Sequence, residues 1–356
     1  MGLGYTGGEA AGEGSEPEGT SLEAEIVNIR DVEAAHFQPL LKAESNAWQD
    51  QLCWDYSASA RLVANWLEER RLSGYALRQN GAIRGFCFFF SEGPRALIAD
   101  LFVEPGQSEL LYARRLLDQV LDRLLSFPEV RRIEAQLPHF SFDRLNLWFR
   151  SRCFDSYVRE FMAVPLSGPG TPASLASTSS ALAPLGAEFT IEPWERRYDR
   201  EAAELLYRTY RHHVDAAINE QYASLDGVSR LIENVIYQHG CGEFLTQASF
   251  VVFHRSTQRL AGILGASRVR RQTAHLPQIA VAAEFQGVGV GTALLRYALK
   301  GLQQQGFREV SLTVTSLNEG AVRLYQRFGF RTFRAFGAFV WQRSPAEGRS
   351  APGAAM

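Results

Sequence analysis

The chain has 356 residues, 46% of them apolar and 21% charged, with a formal net charge of −2. This length suits two domains, and the composition is that of a folded globular protein rather than a disordered or fibrous one. A net charge so close to zero provides no broad field for nucleic acid or an anionic membrane, so neither is expected as a partner.

Cys53, Cys87, Cys153 and Cys241 are widely scattered, form no Cys-x-x-Cys pair, and have no histidine near them at ligand spacing. Neither a disulfide framework nor a metal site is expected, and a reducing cytoplasm fits this usage. No apolar run approaches the roughly 20 residues of a membrane helix. Residues 1–24 are rich in Gly and Glu and lack an apolar signal core, which reads as a disordered tail.

In chain order, apolar periodicity predicts a helix over 62–71, strands over 74–79, 82–90 and 96–103, a helix over 108–125, a strand over 130–137, a helix over 143–152 and a strand over 159–164. Residues 166–187, rich in Ser, Ala, Pro and Gly, read as a linker. Beyond it come helices over 198–213 and 228–238, then strands over 249–254, 260–270 and 276–281. A helix over 291–304, a strand over 310–315, a helix over 319–328 and a strand over 333–341 complete the order, and 346–356 is a short tail. Residues 25–165 and 188–345 thus form two α/β units with mixed sheets. Their similar element order indicates an internal duplication.

The most informative local feature is Gln286-Gly287-Val288-Gly289-Val290-Gly291, between a strand and an amphipathic helix. Glycines there let the main chain approach a ligand and adopt positive φ. The free N–H groups and the dipole of the helix start favour an anion such as a pyrophosphate. A P-loop would need Lys after its last glycine, and here Thr292 follows. A dinucleotide fingerprint would place its first glycine directly after the strand, whereas several residues separate Val281 from Gly287. Glu309 also begins the next strand instead of ending it.

Downstream lies Asn318-Glu319-Gly320-Ala321-Val322-Arg323-Leu324-Tyr325-Gln326-Arg327-Phe328-Gly329-Phe330. It resembles the N-x-x-A-x-x-L-Y-x-x-x-G-F motif of the GNAT acyltransferase superfamily. With the Gln286–Gly291 loop and the strand Gln278-Ile279-Ala280-Val281 before it, the resemblance extends through the second half, in the family's element order. It implies two tandem GNAT-like domains, acetyl-coenzyme A as co-substrate and no metal. Ile279, Ala280 and Val281 would pair with pantetheine. Gln286, Gly287, Val288, Gly289, Val290, Gly291 and Thr292 would hold the pyrophosphate. Asn318 would touch the cofactor, and Tyr325 would be the general acid that protonates the departing thiolate.

The implied reaction is transfer of an acetyl group to a primary amine, on a small molecule or a peptide, by a monomer or homodimer. Asp215, Asn219 and Tyr222 are the candidate acceptor residues. The stretch Thr273-Ala274-His275-Leu276-Pro277-Gln278 holds no carboxylate, and His275 is the titratable group there. The rival reading is a non-catalytic acyl-CoA sensor, against which Tyr325 argues because binding alone does not need a phenol.

In the first half, Glu109, Leu111 and Ala113 stand opposite the three glycines, Phe142 opposite Asn318 and Phe149 opposite Tyr325. The expectation is a degenerate GNAT-like copy without coenzyme A.

Overall fold

The structure is a computed structural model that describes residues 24–172 and 185–343. Except for Ala24, the tails expected at 1–24 and 346–356 lie outside the described residues, as do residues 173–184 of the expected linker.

The first half runs β1 (Glu25–Asn28), α1 (Gln38–Leu52), α2 (Ser57–Glu68), β2 (Ser73–Gln79), β3 (Ala82–Glu92), β4 (Arg95–Val103), α3 (Glu109–Leu125), β5 (Arg132–Ser141), α4 (Phe142–Arg150) and β6 (Asp155–Pro165). The apolar run in β3 is buried on both faces. Cys87 and Phe89 face the core under α3 and α4, while Phe86 and Phe88 face the core under α1 and α2. Helices thus cover both sides of the sheet, and alternation disappears from the sequence. Periodicity does not predict α1, because Glu44 occupies a fully buried position on its inner side among Leu40, Leu41 and Ala47.

The second half runs β7 (Phe189–Pro193), α5 (Asp199–Tyr210), α6 (Val214–Ile218), α7 (Leu225–Tyr237), β8 (Glu243–Phe244), β9 (Phe250–His254), β10 (Arg259–Arg270), β11 (Thr273–Val281), α8 (Val290–Gln304), β12 (Glu309–Thr315), α9 (Glu319–Arg327) and β13 (Arg331–Gln342). Equivalent positions carry equivalent packing. Gly85 pairs with Val103, and a Cβ there would press on Leu116 at 3.2 Å. Gly262 pairs with Val281, and a Cβ there would press on Leu294 at 3.0 Å. In both halves a glycine lets the crossing helix approach the strand, as close helix–sheet contact requires.

The described strands form one sheet in the order β1-β2-β3-β4-β5-β13-β6-β12-β11-β10-β9-β7, with β8 beside β10. The halves exchange their last strands. β13 pairs antiparallel with β5, and β6 pairs antiparallel with β12. The cores follow the strands: Phe339 of β13 is buried in the first half, and Met162 and Val164 of β6 are buried in the second. Neither half therefore completes its sheet from its own residues.

Phe339 stacks on Phe149 with ring centroids 3.9 Å apart. Phe339→Ala is expected to cost about 3–5 kcal/mol. Chemical denaturation followed by probes in each half is expected to show one shared transition, shifted to lower denaturant. Two separate transitions would contradict the interlock.

Candidate active site

The Gly287–Thr292 segment is shaped by backbone constraints. Gly287 has φ +79° and Gly289 φ +98°, and each has open space where a Cβ would stand. An L-residue there would incur about 1–2 kcal/mol of backbone strain. Gly291 has ordinary φ, and a Cβ there would meet Val281 at 3.5 Å and Leu324 at 3.6 Å, ordinary contact distances. No side chain caps α8, and its first hydrogen bond is Ala293 N–H to the Gly289 carbonyl at 2.9 Å. Among the described residues, no N–H from Gly287 to Thr292 has a protein acceptor. Six adjacent donors at the start of a helix form an anion cradle.

A cleft of about 600 Å³ opens over this cradle. Ile279, Ala280, Val281, Gln286, Gly287, Gly289, Gly291, Thr292, Asn318, Leu324 and Tyr325 all line it. Val288 is 56% exposed and Val290 is buried in the core, so these two offer their main chain only. Asn318 caps α9 by accepting the Ala321 N–H at 3.2 Å while it also faces the cleft.

The cleft leads into a gap in the sheet. β11 and β12 pair in parallel from Thr273 to Leu276 and then diverge. Pro277 stands where they part and has no N–H to donate. A smaller polar pocket of about 90 Å³ fills the gap, lined by Gln136, Arg159, Tyr210, Asp215, Ile218, Asn219, Tyr222, Gln278 and others. Tyr210, Ile279, Asn318 and Tyr325 line both spaces.

The Tyr325 ring packs against Phe330 at 5.9 Å. Among the described residues its hydroxyl has no hydrogen-bond partner. Burial, with the Asp215 charge added, pushes its pKa up, so the phenol stays protonated. Arg159 Nη1 donates to Asp215 Oδ1 at 3.0 Å and to Thr315 Oγ1 at 2.9 Å, and Thr315 Oγ1 donates to the same carboxylate oxygen. Burial works to raise the Asp215 carboxyl, but His213, Arg159 and Thr315 outweigh it, and its pKa lies below the usual range. Tyr210 and Tyr222 stack at 4.7 Å; Tyr210 Oη donates to the Ile279 carbonyl at 2.9 Å, and Gln278 Nε2 donates to Tyr222 Oη at 2.6 Å.

Asp215, Asn219 and Tyr222 thus line the polar pocket, which Tyr325 shares with the cleft over the glycine loop. His275 does not join them. It lies in the core with its Nδ1 3.0 Å from Ser311 Oγ and its ring against Trp54 and Phe161. The sequence reading missed Arg159 and Gln136, which lie in the other half and arrive through β6 and β5. Nothing in the sequence singles them out, because β5 and β6 carry other polar residues as well, among them Glu134, His139 and Glu160.

The first half carries the same frame, filled. β4 and β5 pair from Arg95 to Ile98 and then part, with Ala99 at the position of Pro277. Tyr56 donates to Asp100, as Gln278 and Tyr222 bond in the other half, and Tyr56 stacks on Trp48 at 5.0 Å. At the start of α3, Glu109 is held by Arg144 at 2.7 Å. Phe142 and Phe149 both stack on Phe339 where the second half has Asn318 and Tyr325.

Residues 193–330 match the model of the acetyltransferase (GNAT) family. The C-terminal half is a GNAT domain. An uncharacterised N-acetyltransferase of Methanocaldococcus jannaschii is 39% identical over 61 residues, 17% of this chain and 27% of that protein. N-acetyltransferase 8B of Rattus norvegicus is 31% identical over 93 residues, 24% of this chain and 42% of that protein. The chain therefore spans less than half the length of either relative. A solved tandem GNAT protein from the clavulanic acid biosynthesis pathway aligns over 91% of this chain and 99% of its own, with TM-score 0.62 and 15% identity. That likeness is one of fold: the GNAT domain and the half before it together have the tandem GNAT architecture. Among the described residues of both halves, no helix is long and apolar enough to cross a membrane, and no three His, Cys, Asp or Glu residues gather as metal ligands.

Burial, aided by Arg159, lowers the His275 pKa from 6.5 to about 3; burial, aided by Arg334, does the same to His139. As pH falls from 6.5 to about 3, the unfolded chain takes up protons that the folded chain refuses, so stability falls through that window. NMR titration is expected to show both imidazoles neutral and static between about pH 5 and 8. Movement of the His275 signal in that range would contradict its placement.

Proposed function

We propose that the protein is an N-acetyltransferase that uses acetyl-CoA and a primary amine acceptor. The observation that carries this reading is Tyr325, whose hydroxyl stands without a protein partner where the loop cleft meets the polar pocket. The fit to coenzyme A rests on the unpaired N–H groups of Gly287 to Thr292 and the open space at both positive-φ glycines. Acetyl-CoA supplies the acetyl group activated as a thioester.

The loop amides receive the pyrophosphate, with Gln286 and Thr292 at its margins. The gap-side edge of Ile279, Ala280 and Val281, where no strand pairs, receives the pantetheine arm, and Asn318 fixes the turn where the arm enters the gap. Tyr325 gives its proton to sulfur as the C–S bond breaks. The amine nitrogen returns a proton to the phenolate as the C–N bond forms, so atoms and charge balance. A phenol with a raised pKa suits this role, because it enters each cycle protonated and acts as a donor. Asp215, Asn219 and Tyr222 line the acceptor end. The first half, with Glu109 paired and Phe142 and Phe149 stacked, acts without coenzyme A as the frame of that end.

Tyr325→Phe is expected to lower kcat about 100-fold or more while acetyl-CoA affinity is retained, read by thiol release against a broad amine panel and by calorimetry. Retained kcat would remove Tyr325 from the chemistry. Tight acetyl-CoA binding with no turnover of any amine would favour a non-catalytic sensor. Gly289→Glu is expected to abolish acetyl-CoA binding by forcing a side chain onto φ +98° and a negative charge into the cradle. Unchanged affinity would displace the pyrophosphate from this loop.

A further inference from the structure

The polar pocket in the gap has two formal charges among its lining residues, Arg159 and Asp215, and they are unequally used. Asp215 accepts from two donors on one oxygen and has His213 Nδ1 3.5 Å from the other. Arg159 spends only Nη1. Its Nε is enclosed without a partner, and Nη2 makes no hydrogen bond to any described residue. A guanidinium presents five donors in a planar fork, and the Nε–Nη2 edge is the one that matches a carboxylate bidentately. A buried N–H donor left unpaired is costly and calls for a role or a partner at the site.

The position of Arg159 strengthens the point. It stands opposite Thr315 on the exchanged strand β6, and so reaches into the second half's gap from the first half. The other polar side chains of the pocket, among them Gln136, Asn219, Tyr222 and Gln278, are neutral types. A positive and a negative charge side by side in a small neutral enclosure complement a small zwitterion better than a polycation, which would leave Arg159 repelled and unpaired.

We propose that the acceptor is a small amino acid, whose carboxylate is received by the free edge of Arg159 while its amine points past Asp215 toward Tyr325. This assignment rests on the acetyltransferase reading for its orientation, and on Arg159 alone for its carboxylate. Arg159 is a specificity residue here: the first half selects the acceptor, and the second half holds the acetyl donor.

The test uses the full chain with acetyl-CoA and the proteinogenic α-amino acids, each beside its amide and its decarboxylated amine. Thiol release gives kcat/KM, and calorimetry on the coenzyme A-loaded protein gives binding. At least one free acid is expected to exceed its amide and its decarboxylated amine by about 100-fold in kcat/KM. Arg159→Gln is expected to erase that ratio through KM while acetyl-CoA affinity holds. Arg159→Lys, which keeps a charge beside Asp215 and preserves the fold, is expected to lose most of it because a single ammonium cannot make the forked contact. Amides or decarboxylated amines turned over as well as the acids would overturn the assignment and leave the transferase reading standing. An acid that binds the wild type and not Arg159→Gln, yet is never acetylated, would support the assignment and overturn the transferase reading. No binding and no turnover of any acid would overturn the assignment.

Discussion

Two parallel strands, β11 and β12, share hydrogen bonds from Thr273 to Leu276 and then diverge, leaving the main-chain edge of residues 277–281 without a strand beside it. A buried backbone edge must be satisfied by something. Tyr210 donates to the Ile279 carbonyl and Gln286 Nε2 to the Val281 carbonyl at 3.2 Å, and Ile279, Ala280 and Val281 line the cleft. The glycine loop, the uncapped start of α8 and Tyr325 are all arranged around this gap. Without it the sheet would be closed, and the phenol of Tyr325 would be one more core aromatic beside Phe330.

The first half shows that divergence alone makes no site. β4 and β5 part at the equivalent position, yet Trp48, Tyr56 and Asp100 fill that gap, and Phe142, Phe149 and Phe339 fill the equivalent of the loop cleft. Because Ala99 stands where Pro277 does, the loss of a proline N–H is not the sole cause of parting. The chain therefore carries one frame twice, once packed shut and once left open. The exchange of β6 and β13 joins the two copies, and Arg159 and Gln136 of the packed copy line the polar pocket of the open one.

The sequence made the local features legible. Gly287 and Gly289 announce positive φ, Asn318 announces a helix cap, and the spacing to Tyr325 ties the loop to the phenol. The order of strands and helices followed from periodicity wherever one face was clearly apolar. Periodicity failed at α1, where Glu44 is buried against expectation, and at β1 and β7, which are short edge strands. The exchange of last strands left no trace, because no residue pattern in β6 or β13 marks which half's strand each pairs with. Arg159 was therefore unreadable as a site residue, since its place depends on which half β6 joins. His275 looked available in sequence as the titratable group near the gap. Two positions before the parting, it instead faces Trp54, Phe161 and Ser311.

The central claim is that the same scaffold binds coenzyme A where the glycine loop is open and not where it is packed. Calorimetric titration of the full chain with acetyl-CoA, followed by mapping of the bound site by hydrogen exchange, tests it most directly. One molecule is expected to bind per chain, with protection confined to residues 279–292 and 318–325. Two molecules per chain, or protection at the start of α3 in the first half, would contradict it.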